Sequence, residues 1–224
     1  MPLCSDASRD KPLTISIRGW PLLLGLLLLA RCAAGPSPRV YVLDGQEDRT
    51  PGVASDSGRP VVELKSVLLP DYLDTTDIVL RDGQNELKTS QTGRWGERLS
   101  VGVTRLLGQD LARRMPAIVV DQSESARHPA RTLLINVDGF DVWPDRRCVL
   151  TAHWTITGED GRSLGAGEKA TIVALVPQSS NGPADSAIVQ AMTDAIGQLA
   201  DHVANDLSRT LRNFDSRSRA PSGD

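Results

Sequence analysis

From Cys148 to Thr157 the side chains alternate in character, one residue at a time. Cys148, Leu150, Ala152, Trp154 and Ile156 share one parity, and Val149, Thr151, His153, Thr155 and Thr157 share the other. A helix would scatter the apolar set around its surface, whereas a strand sends successive side chains to opposite faces. The run therefore predicts a strand buried on one face and wet on the other, the usual condition of an antiparallel sheet. Neighbouring strands are close by in sequence. "RTLLINVDGFDVW" precedes it, and the turn signal Gly158-Glu159-Asp160-Gly161 leads on to a partner strand at Lys169 to Val176. Such a meander has one apolar face, and a fold containing it must supply a layer to cover that face.

Two helical stripes can supply the layer. Trp95, Leu99, Val103, Leu106, Leu107 and Leu111 recur at three- and four-residue spacing between Trp95 and Met115, and Pro116 ends the run. Ile188, Met192, Ala195, Leu199, Val203 and Leu207 do the same between Asp185 and Arg212. Gly96, Gly102 and Gly108 each cost the first helix roughly 1 kcal/mol relative to alanine, so that helix depends on packing against a sheet.

The rest of the chain adds strands. "RVYVLDG" (Arg39 to Gly45) reads as a short strand, followed by a linker rich in Pro, Gly, Ser and Asp. Val61 to Leu68 reads as a strand stopped by Pro70, which has no N–H for a ladder. Asp77 to Thr89 is a hairpin turning at Asp82-Gly83, and "AIVV" after Pro116 is a short strand. The expected fold is α+β, a largely antiparallel sheet with two main helices packed on one face.

Trp20 to Ala30 is an apolar run far short of the roughly 20 residues that a membrane-crossing helix needs. Arg9, Lys11 and Arg18 precede it, and Ala33, Ala34 and Gly35 follow, the order of a secretory signal. Two cleavage chemistries fit. Leu29-Ala30-Arg31-Cys32 resembles the lipobox of bacterial lipoproteins, which would make Cys32 an acylated N-terminus, although Arg31 stands where that pattern has a small residue. An ordinary cut after Ala34 is the rival. The expected organisation is a signal peptide at 1–31, an N-terminal strand and flexible linker at 32–60, an α+β domain at 61–212 and a disordered tail at 213–224.

Charge and chemistry narrow the function classes. The whole chain carries a net charge of −3. Removing 1–31 takes away more basic than acidic residues, so the remainder is still more acidic and lacks the footprint of a nucleic-acid binder. Of the three histidines, His128 sits in a loop, His153 on a polar strand face, and His202 in a helix before Asp206. A His-Asp pair alone does not make a zinc site. "NVDGFD" has a calcium-loop flavour without the closing glutamate, and it lies inside a strand pattern. No nucleophile elbow or phosphate-binding glycine loop appears, and Cys148 has no base beside it in sequence. No catalytic residue, metal or cofactor is expected, and a hydrolase would need a site assembled from scattered residues.

Two segments have interface character. "LLPDYLD" places Tyr72 and Leu73 just after a strand-breaking proline, and "GRWGERL" joins Arg94 to Trp95. Tyrosine, tryptophan and arginine are enriched at binding hot spots. Trp95 and Tyr72 also fit as core-edge residues pinning a helix to the sheet.

These segments carry a resemblance. Pro70-Asp71-Tyr72-Leu73, the strand from Ile78 to Arg81, Arg94-Trp95 and the Leu111-Ala112 step resemble the PqiC/YmbA-like lipoproteins, described as ABC-type transport auxiliary components. "VYVLDG" and "AIVQAMTDAIGQLADHVANDL" resemble the two ends of that family's domain. Gly96 departs from it, standing where the family favours alanine. The resemblance implies a lipoprotein anchored through Cys32 at the periplasmic face of the outer membrane, Ala33 lacking the aspartate of inner-membrane retention. It implies an MCE-type periplasmic transport protein as partner, a homo-oligomer, and a docking role in lipid transport without catalysis. Pro70, Asp71, Tyr72, Leu73, Arg94 and Trp95 are then the expected partner-binding surface or its support. The alternative is a soluble periplasmic lipid or small-molecule binding module working alone.

Overall fold

The computed structural model of the protein describes residues 37–45, 58–122, 129–165, 167–178 and 184–218, with side chains to residue 212. In chain order the described elements are β1 (Arg39–Tyr41), β2 (Val61–Leu64), β3 (Asp77–Arg81), β4 (Leu87–Trp95), α1 (Leu99–Arg114), β5 (Val119–Asp121), β6 (Arg131–Val142), β7 (Arg147–Gly158), β8 (Glu168–Leu175) and α2 (Asp185–Ser218). Pro38–Asp224 forms a unit of its own. The signal segment, Cys32, most of the linker, His128 and the end of the tail lie outside the described residues.

The alternating run forms the centre of a five-stranded sheet ordered β5-β2-β6-β7-β8. β7 pairs antiparallel with β6 from Cys148 opposite Val142 to Gly158 opposite Arg131, and with β8 on its other side. Cys148, Leu150, Ala152, Trp154 and Ile156 are all buried, while His153 on the opposite parity is exposed. Ile188, Met192, Ala195, Leu199, Val203 and Leu207 of α2 are buried against this face. α1 packs on α2, and the Arg114 guanidinium ties them, donating to the Gly197 carbonyl at 2.8 Å and to Asp201 at 2.5 Å. The calcium-like stretch is strand, as its pattern implied, with a bulge between Val137 and Gly139. The extra residue restores parity, so that both Val137 and Phe140 face the core.

The fold is α+β as expected, with the long β6-β7 and β7-β8 ladders antiparallel and the helices packed against the sheet, and it is mixed rather than purely antiparallel: β1 runs parallel to β4, and β2 runs parallel to both β5 and β6. Each of these pairs is separated by intervening elements, the crossover that parallel pairing requires, and no short turn announces it. β1, β4 and β3 also form a second sheet of three strands. β2 stops at Leu64, where the chain peels away and the Val67 N–H donates to Thr104 Oγ1 of α1 at 2.9 Å. It rejoins β6 at Leu68, whose N–H donates to the Ile135 carbonyl. Trp95 closes β4, and the helix begins only at Leu99. α2 continues past Arg212 to Ser218, because no helix breaker occurs before Pro221.

Candidate functional site

The Pro-Asp-Tyr-Leu segment forms one tight turn. The Pro70 carbonyl accepts the N–H groups of Leu73 at 2.9 Å and Asp74 at 3.2 Å. The turn sends Leu73 into the core, 2% exposed, leaves Pro70 half-buried and turns Asp71 out to solvent.

Tyr72 lies between these extremes. Its hydroxyl donates to Asp141 on the outer face of β6 at 3.2 Å, and the same carboxylate accepts from Arg81 Nε at 2.9 Å. The Arg81 guanidinium lies 5.7 Å from the Tyr72 ring centre and 5.5 Å from that of Trp143, within cation–π range of both. Burial, then the Asp141 carboxylate, raises the Tyr72 phenol above its ordinary range. The bond to Asp141 raises the Arg81 guanidinium in turn. Both groups hold their protons at neutral pH, so the cluster suits fixing the turn on the sheet and not moving protons.

The second segment is bound to the first. The Trp95 N–H donates to the Thr76 carbonyl at 2.8 Å, and the Trp95 ring is 4% exposed. Asp74 then caps the helix that follows: its Oδ1 accepts the Ser100 N–H at 3.0 Å and its Oδ2 accepts Arg98 Nη2 at 2.5 Å. Arg98, at the N-cap position of α1, makes no side-chain cap of its own. Arg94 stays exposed on the outward face of β4, opposite Val40 of β1 and Asp77 of β3. The six residues singled out from sequence thus divide. Leu73 and Trp95 are core supports, Tyr72 and Pro70 sit at the boundary, and Asp71 and Arg94 face solvent.

Sequence reasoning missed the partners that hold this surface: Asp74, Asp141, Trp143 and Asp185. Asp185, at the start of α2, is 8% exposed and accepts the hydroxyls of Ser90 at 2.7 Å and Thr92 at 2.6 Å from β4. Only Asp141 carried a local signal, a carboxylate between two inward-facing apolar residues of a strand.

The remaining candidates are committed elsewhere. Cys148 is fully buried, and burial pushes its thiol up to about 12, which leaves no thiolate for nucleophilic or metal chemistry. Asp206 accepts the indole N–H of Trp154 at 3.0 Å, while His202 is exposed. His153 and Lys169 both meet Asp138 on the outer sheet face, at 2.9 and 3.0 Å. No group of three or more metal-ligating side chains occurs among the described residues. No described helix is long and apolar enough to cross a membrane.

A family model described as ABC-type transport auxiliary lipoprotein component matches residues 41–204. This is a family of transport components, not of enzymes, and its lipoprotein character implies a membrane-anchored place in the cell envelope. Among solved structures, a protein of Xanthomonas campestris, XCC0632, is similar at 14% identity with a TM-score of 0.62, covering 79% of this chain and 99% of that one. An uncharacterized protein is similar at 16% identity with a TM-score of 0.63, covering 76% and 99%. At these identities the likeness establishes the fold. No curated protein sequence matches. The model match spans more than half of the sequence, including the turn at Pro70, the Arg94-Trp95 segment and most of α2, and the chain belongs to the ABC-type transport auxiliary lipoprotein component family.

Proposed function

We propose that the protein is the docking subunit of an MCE-type ABC intermembrane lipid transport system, held by an acylated Cys32 at the periplasmic face of the outer membrane. The observation that carries this reading is the family match over residues 41–204, which makes the folded unit a transport auxiliary component. The geometry of the Pro70 turn supports docking. Asp71 and Arg94 project from a foundation in which Leu73 and Trp95 are buried and Tyr72 is held by Asp141. A rigid base presenting solvated charges needs little ordering on binding, which keeps the entropic cost of association low.

The subunit works as a homo-oligomer in this reading. β8 ends the large sheet among the described strands, and an edge strand offers unpaired peptide groups to a neighbouring chain. The partner is the periplasmic MCE protein, contacted through Pro70 to Leu73 and Arg94 to Trp95.

Native mass spectrometry of the protein released gently from its own membranes tests the reading. The expected result is Cys32 carrying acyl chains, in an assembly of several copies with an MCE protein bound. An unacylated monomer starting at Gly35, without a partner, would overturn it in favour of a soluble binding module.

A further inference from the structure

Leu73 roots the Pro70 turn in the core, and Tyr72 leans on Asp141. That carboxylate is aimed by a device in β6. Leu133, Ile135 and Val137 face the core, the bulge between Val137 and Gly139 changes the parity, and Phe140 and Val142 face the core beyond it. An unbroken alternation would send residue 141 inward. The bulge turns Asp141 to the outer face instead, and Gly139 leaves it room, since a Cβ there would sit 3.3 Å from Asp141 Oδ2.

Two parts of the fold share this carboxylate. Tyr72 reaches it from the turn, and Arg81 reaches it from the end of β3 in the small sheet. Arg81 Nε donates to Oδ1 at 2.9 Å and Nη2 to Oδ2 at 3.4 Å, a two-point grip that fixes the guanidinium plane. Nη1 donates to the Gln84 carbonyl at 3.1 Å, which ties the same group to its own hairpin, and the Tyr72 and Trp143 rings both lie within cation–π range. The two side chains are 21% and 14% exposed, so salt screens this pair less than it would a surface pair. β3 is rooted separately, by the buried Ile78.

We propose that Arg81 is the positioning residue of the docking surface, joining the small sheet to the large one through Asp141 and holding Tyr72, with Asp71 beside it, in the attitude that a partner meets. The proposal rests on the reading that the Pro70 turn docks. Arg94 stands on the small sheet and Asp71 on the turn, so one guanidinium registers both charges against the large sheet. A surface ordered before contact loses less entropy on binding. Lysine is a poor substitute, because its point charge has neither the fork nor the plane.

The test reads Tyr72 itself. In a Tyr41→Phe background Tyr72 is the sole tyrosine, and Arg81 lowers its phenol against the larger upward push of burial and Asp141. Removing Arg81 while Tyr72 stays in place therefore raises its titration further. Removing Arg81 with release of Tyr72 drops the titration to the ordinary tyrosine value, about 10. The expected result in folded Arg81→Met is the drop, with about a tenfold loss of MCE-protein capture by the full chain from envelope extract. Arg81→Lys is expected to show both changes to a smaller degree, and it serves if the apolar variant does not fold. A titration at or above the parent's in a folded variant would overturn the proposal. A drop with capture undiminished upholds Arg81 as the holder of the turn and overturns the reading of that turn as the docking surface.

Discussion

The Asp74 carboxylate accepts the Ser100 N–H at 3.0 Å, so the residue that closes the Pro70 turn caps the helix that follows Arg94-Trp95. The two motif segments are thereby one structural unit, although a strand hairpin separates them in sequence. Burial pushes the Asp74 carboxyl upward, but the bonds from Ser100 and Arg98 outweigh it and hold the group below its ordinary value. A depressed carboxylate contributes stability that is present above the unfolded value and lost as pH falls through the folded one. Asp74→Ala is expected to cost about 1 kcal/mol at pH 7, and Asp74→Asn less, since its amide oxygen still accepts. Urea unfolding at pH 7 and near pH 3 checks this. The gap between Asp74→Ala and the parent should narrow in acid, and an equal gap at both values would rule the cap out.

The Tyr72 hydroxyl makes an independent prediction at the alkaline end. Burial and Asp141 both raise its phenol, so the stability it contributes is fully present below its unfolded value and is lost as pH rises through the folded one. In a Tyr41→Phe background, ultraviolet titration should show Tyr72 ionising above the ordinary tyrosine range, and Asp141→Asn should move the transition down. Tyr72→Phe should cost about 1 kcal/mol, the worth of one partly buried hydrogen bond. An unchanged titration in Asp141→Asn would place the cause in burial alone.

Gly93 is required by a close approach. A Cβ there would meet the Asp185 carboxylate at 2.7 Å and the Tyr41 ring at 2.8 Å. Asp185 is held by Ser90 and Thr92 and has little room to give. Gly93→Ala is therefore expected to destabilise by about 1 to 3 kcal/mol, as overpacking does. Amide hydrogen exchange should show the loss concentrated in β4 and the first turn of α2. Exchange unchanged in both elements would mean that the contact yields without strain.

Cys148 predicts a chemical silence. Its thiol is buried and pushed up to about 12, so a thiol reagent at pH 8 should modify it only as fast as the protein opens. Labelling should accelerate through the urea transition in step with the loss of tertiary structure. Rapid modification of the native protein would mean that the β7 face is not closed by α2.

The parts legible in the sequence were those whose signal is local. The alternation at Cys148 to Ile156 and the stripe from Ile188 to Leu207 each carry their period inside one element, and both packed as their patterns require. What was not legible depends on residues distant in the chain. β2 finds its parallel neighbours β5 and β6 across long connections, and nothing in "VVEL" names either partner. The start of α1 was misplaced because its cap comes from Asp74, while the local position holds Arg98. Trp95 kept the helical spacing by coincidence, since the last inward residue of β4 falls four positions before the first buried residue of α1. The candidate surface was half legible in the same way. Its residue types pointed to contact, and only the fold separates Asp71 and Arg94, which face outward, from Leu73 and Trp95, which do not.

That separation gives the prediction most relevant to function. Truncating Trp95, 4% exposed, should cost about 3 to 5 kcal/mol, so loss of partner binding in Trp95→Ala says nothing about an interface. Asp71 and Arg94 are solvated, and replacing them should stay within about 0.5 kcal/mol of the parent. The double variant Asp71→Lys, Arg94→Glu is thus expected to unfold like the parent while losing co-purification with the proposed MCE partner, because in the proposed docking surface reversing both charges places like against like. Pulling the parent and the variant from the same envelope extract, with unfolding curves run in parallel, separates the two effects. Undiminished capture by a folded double variant would remove Asp71 and Arg94 from the docking surface. It would leave the Pro70 turn as a structural unit whose work is to seat α1.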